Sequence, residues 1–158
     1  MTPRFEFIVC AALLAAVLAC IGVWGVMTLW LTRVAWSLEL LAVTAVPAGL
    51  AAALAALWTG QWPLVLGQAS RLWRSVALAL GTVAIALVVF VVLVLLGGIV
   101  AGMGELPLGS IGRLLGAALD RAMLLGLFAA ALGALPGALL MVPVSLRYLQ
   151  RRTAAVPA

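Results

Sequence analysis

The sequence predicts an all-α integral membrane protein: one transmembrane domain of four helices in an antiparallel bundle. Three observations carry this. Of 158 residues, 68% are hydrophobic and 8% charged, whereas soluble domains carry about 25% charged residues. The mean hydropathy is +1.36. Finally, the charges divide the chain into four apolar runs, each near the ~20 residues that a bilayer crossing requires.

The first run, about 7–32, lies between Glu6 and Arg33. Its beginning resembles a secretory signal, with Arg4 as a basic lead and Val17-Leu18-Ala19-Cys20 similar to a lipoprotein cleavage site. A signal's apolar segment spans only ~7–15 residues. This one continues through Trp24 to Leu31, so it reads as an uncleaved helix. Cys10 and Cys20 lie ~15 Å apart along it, too far for a disulfide, and read as small packing residues.

The second run, about 39–59, follows Glu39 and is dense in Ala: Ala48, Ala51, Ala52, Ala55 and Ala56. The third, about 75–103, has no charge between Arg74 and Glu105. Its centre is rich in Val, Leu, Ile and Phe, which favour strands in water. In lipid a lone strand leaves its backbone unpaired, so the same residues read as a helix. The fourth, about 122–146, lies between Arg121 and Arg147, and 147–158 is a basic tail.

Two connections have helical character of their own. In 63–74, Pro63 suits a first helical position. Gly67, Gln68, Arg71 and Arg74 share one face there, opposite Val65, Ala69, Leu72 and Trp73. This fits a short helix lying in the interface. In 111–121, Ser110 is a candidate N-cap. Ile111, Leu114, Leu115, Ala118 and Leu119 follow the helical template, with Arg113, Ala117, Asp120 and Arg121 opposite. That segment either lies flat or extends the fourth crossing; the pattern allows both.

Arginine placement sets the orientation. With the N-terminus inside, Arg4, Arg71, Arg74, Arg147, Arg151 and Arg152 are cytoplasmic, while Arg33, Arg113 and Arg121 are outside. Both termini are then cytoplasmic. Indoles favour headgroup depth, so Trp30, Trp36, Trp58, Trp62 and Trp73 are read as interfacial anchors, with Trp24 a deeper packing residue. Arg147, Arg151 and Arg152 anchor the fourth helix to anionic lipid at ~1 kcal/mol each, or contact an acidic partner. The absence of Lys beside abundant Ala, Leu, Gly and Arg suggests a GC-rich bacterial genome, and the expected location is the bacterial inner (plasma) membrane.

Small residues recur at helical spacing: Gly126, Ala130, Gly133 and Gly137 in the fourth run, Ala77 and Gly81, then Gly98 and Gly102, in the third. Such faces let helices approach closely in lipid. They serve either packing within the bundle or docking of another membrane protein or a second copy. Pro47, Pro136 and Pro143 fall inside helices and remove helical donors; they read as kinks without a ligand.

The chain contains no His, which excludes His-ligated haem, His-containing metal sites and His-based triads. No titratable carboxylate, Lys or Arg falls mid-crossing, which disfavours a proton-coupled carrier. Nucleic-acid binding is not expected, because the Arg residues mark run ends instead of forming one basic face. Glu105 and Asp120 share the outer side, where pairing with Arg113 and Arg121 is favoured over acid–base catalysis. No enzyme activity, cofactor or metal is expected.

The turn Arg33-Val34-Ala35-Trp36-Ser37-Leu38-Glu39 resembles that of the small membrane subunits of tripartite (TRAP-type) solute transporters. There an Arg ends the first helix, and a Trp followed by acidic residues opens the second. Here the spacing is shorter and Glu39 is the one acid. The resemblance implies a small subunit of a transport assembly. The sequence as a whole predicts a non-catalytic accessory or assembly subunit of a larger membrane (transport or envelope) complex, the alternative being a self-associating small channel or carrier.

Overall fold

A backbone surrounded by hydrocarbon must pair its own amides, so long apolar runs coil. The structure, a computed structural model, describes residues 2–30, 38–62, 70–103 and 111–154, of which 26–30, 38–42, 103 and 153–154 are described by backbone alone. Among the described residues four helices make up the architecture: α1 (Pro3–Trp30), α2 (Leu38–Thr59), α3 (Arg71–Met103) and α4 (Ile111–Ala154). Among the described residues there is no strand. Three helices, α1, α3 and α4, are long and apolar enough to cross a membrane. At 22 residues, α2 is ~33 Å long, close to the ~30 Å hydrocarbon core.

The helices close a ring in chain order, with α4 returning against α1. The α3–α4 seam is the most extensive and the α1–α4 seam the least. Neighbours run antiparallel: Gly49 of α2 faces Ala12 and Ala16 of α1, and Gly98 and Gly102 of α3 face Ala118 and Leu114 of α4. Large side chains point outward and small ones inward, as expected where lipid is as apolar as the interior. On α2, Ala51, Ala52, Ala55 and Ala56 are buried while Val46, Leu50, Leu54 and Trp58 are exposed. Bulky packing gathers at one end, around Phe7, Leu78, Met141, Tyr148 and Leu149.

Helix ends and the charge-marked ends of the apolar runs differ at three places, and for 111–121 the helix follows one of the two readings the pattern allows. α3 begins at Arg71, so 71–74 belongs to the crossing helix instead of a separate interfacial one; 63–69 lies outside the described residues. Segment 111–121 is continuous with the fourth crossing, giving α4 44 residues. The same helix carries the tail through Ala154 and runs unbroken past Pro136 and Pro143. The reason is common to all three. Charges mark where lipid ends, whereas a helix ends only where its hydrogen bonds do.

Candidate functional site

Inside the ring lies an apolar lumen of about 320 Å³, walled by all four helices. It runs from Ala11 to Val23 along α1 and from Leu124 to Met141 along α4. Thr44 and Thr82 supply the hydroxyls of its wall. Thr82 is already engaged: its Oγ1 lies 2.8 Å from Thr59 Oγ1 and 2.7 Å from the Leu78 carbonyl. Thr59 Oγ1 lies 2.9 Å from the Ala55 carbonyl. Two protons serve three contacts, so one hydroxyl donates to the other while its partner donates to backbone. This buried pair joins α2 to α3.

The small-residue stripe of α4 faces the chain's own helices. A Cβ on Gly126 would come within 2.5 Å of Val91 Cγ2 of α3. Gly133 and Gly137 line the lumen; around Gly133 a Cβ would meet nothing within 4 Å. Ala130 turns outward and is exposed, and Ala129 takes the inward place. Cβ atoms on Gly98 and Gly102 would come 3.3 Å from Ala118 Cβ and 2.6 Å from Leu114 Cδ1.

A polar clasp closes the bulky end. Tyr148 of α4 stacks on Phe7 of α1, ring centroids 4.8 Å apart. Its hydroxyl donates to the Gly60 carbonyl at 2.9 Å. Arg152 Nη1 donates to the same carbonyl at 3.1 Å and to the Tyr148 oxygen at 3.1 Å. Arg4 Nη2 donates to the Leu57 carbonyl at 3.2 Å. These groups satisfy carbonyls that the end of α2 leaves without helical donors, and cations favour that end. Glu6 of α1 receives Arg147 Nε at 3.3 Å and pairs with Arg151.

Arg147, Arg151 and Arg152 therefore tie α4 to α1 and α2. Sequence reasoning could place these arginines near water but not name Glu6 or Gly60 as their partners. Both arginines paired to Glu6 are half-exposed or more, so solvent and salt weaken the pairs. Glu6→Gln should cost less than ~1 kcal/mol in low salt, measured by denaturant titration in detergent. The deficit should shrink as NaCl is raised.

The tryptophans divide. Trp58 and Trp73 are exposed. Trp62 packs against the buried cluster, its ring over Gly81, where a side chain would collide. Trp24 is exposed on α1. Trp30 ends α1, its side chain outside the described residues. Trp36, Glu105 and the turn 33–37 behind the TRAP-type resemblance also lie outside them, as do the side chains of Leu38 and Glu39.

At the opposite end α4 runs on past the described end of α1, while α2, with Thr59 beside Thr82, keeps level with α3 as far as Leu38 and Met103. Leu18 of α1 sits against Gly137 of α4, and Trp30 lies ~18 Å further along α1. From that level α4 continues ~20 Å to Ile111. α3 accompanies it, Gly98 opposite Ala118 and Gly102 opposite Leu114. Val92, Leu96 and Val100 form one exposed ridge on α3, and Ile111, Leu115 and Leu119 another on α4. Arg113, Asp120 and Arg121 are exposed beside them. Compared with protein-family models, with curated proteins and with solved structures, the chain matches none.

Proposed function

We propose that this protein is a non-catalytic accessory or assembly subunit of a larger membrane complex, docking through the outer end of the α3–α4 hairpin. The carrying observation is an apolar ridge beside exposed charge. Asp120 and Arg121 are exposed on α4, and charges at the bilayer centre are costly, so the hydrocarbon ends near them. With Gly98 opposite Ala118, that level on α3 is near residue 95. Leu96, Ile99 and Val100 then stand at or beyond the headgroups. Exposed apolar ridges rimmed by charge favour a protein partner. The hairpin's close seam over Gly98 and Gly102 keeps the two ridges in fixed relation.

The arginine distribution supports a bacterial inner membrane location with the clasp end cytoplasmic, since Arg4, Arg71, Arg74, Arg147, Arg151 and Arg152 outnumber Arg33, Arg113 and Arg121 on the other side. The hairpin then faces outward. A photoreactive residue at Val100 or Leu119 should cross-link a defined second membrane protein in cells, whereas one at Leu54 of α2 should not. Cross-linking only to lipid from all three positions, with a monodisperse monomer in mild detergent, would refute the assignment.

A further inference from the structure

We propose that the lumen binds one acyl chain of an anionic glycerophospholipid from the surrounding bilayer, with the phosphate held by Arg121. The wall is apolar, and its Thr82 hydroxyl is engaged with Thr59 and the Leu78 carbonyl, so the space offers water little. Apolar cavities of even ~150 Å³ stay dry and accept hydrocarbon ligands, and this one is about 320 Å³. A dry void forfeits dispersion contacts along its whole lining. Acyl chains lie next to it at the concentration of the bilayer itself.

The mouth is lateral. Leu124, Phe128 and Leu132 of α4 line the lumen yet are 59%, 45% and 49% exposed. They open beside the α1–α4 seam, the least extensive of the four. Below Arg121, Leu124, Phe128 and Leu132 follow at ~5, ~10 and ~16 Å along α4. One leaflet's chain needs about half of the ~30 Å core. A single chain from that headgroup therefore reaches down the lumen to the level of Leu132.

Arg121 supplies the polar end. It stands three, seven and eleven positions before Leu124, Phe128 and Leu132, which on a helix is the same face. Its level lies ~10 Å above Phe128. It is exposed and has no ion pair among the described residues. Asp120, also exposed, is turned ~100° away around the helix. A lipid phosphate at Arg121 thus has its chain directly above the mouth. This site is independent of any partner on the hairpin.

The test uses the full chain in vesicles of phosphatidylglycerol and phosphatidylcholine carrying a trace of either lipid with a diazirine on its acyl chain. After illumination, label from phosphatidylglycerol should concentrate on α1 and α4 peptides lining the lumen, with little at Val88, which faces outward on α3. Gly133→Leu and Gly22→Leu fill the lumen from opposite walls, and in neither place would a new Cβ meet an atom within 4 Å. Each should cut lumen labelling roughly tenfold. Arg121→Gln should lower the preference for phosphatidylglycerol about fivefold while labelling from phosphatidylcholine persists. Labelling spread evenly over the bundle, or unchanged in both filling variants, would overturn the site. Cross-links from Phe128 to a second protein chain in place of lipid would overturn the occupant.

Discussion

Gly126→Leu should destabilise the bundle by about 1–3 kcal/mol or more, the range for overpacking a filled seam. The new Cβ alone would sit 2.5 Å from Val91 Cγ2, and Val, being β-branched, has no easy alternative rotamer in a helix. Either α3 and α4 move apart or the most extensive seam of the ring distorts. Gly133→Leu, seven residues on in the same stripe, should be neutral or stabilising. Its side chain enters the lumen, and replacing a mid-helix glycine removes a propensity penalty of ~1 kcal/mol. Denaturant titration of both variants in the same bicelles separates the two. Equal losses, or a greater loss at Gly133, would mean that the α3–α4 seam is wrongly drawn.

Tyr148→Ala should be the most damaging single change at the clasp, costing ~3–5 kcal/mol as a large aromatic truncation. It removes the ring stacked on Phe7 and one of two donors to the Gly60 carbonyl. Tyr148→Phe separates these contributions. It keeps the stack and should cost only ~1–2 kcal/mol, because Arg152 still donates to that carbonyl at 3.1 Å. Adding Arg152→Gln to Tyr148→Phe should cost more than the sum of the two alone, since both act on one acceptor. Additivity within ~0.3 kcal/mol would show that the carbonyl is satisfied by other means.

The four helices were legible in the sequence because a run free of charge has one stable conformation in lipid. Their ends were less so. Arg71 and Arg74 mark the membrane border but sit in the first turn of α3, and Arg113 to Arg121 continue α4 without interruption. The stripe at Gly126, Gly133 and Gly137 could be read as a close-approach surface. Its direction could not, because helical spacing fixes which residues share a face and not what that face meets. Ala130 shows the limit. It fits the spacing, yet the inward line passes through Ala129. The clasp was hidden for another reason. Glu6 and Arg151 stand at opposite ends of the chain, and nothing local to either predicts the other. The lumen was hidden too, since a cavity is what side chains from four separate runs jointly fail to fill.

The clasp also sets an order for biosynthesis. Phe7, Glu6 and Arg4 leave the ribosome with α1, whereas Tyr148, Arg151 and Arg152 emerge only later, with α4. Until then the end of α2 has Arg4 but neither Tyr148 nor Arg152 to quench its carbonyls. A nascent chain halted after α3 is therefore an open arc, and ring closure reports that α4 has been made.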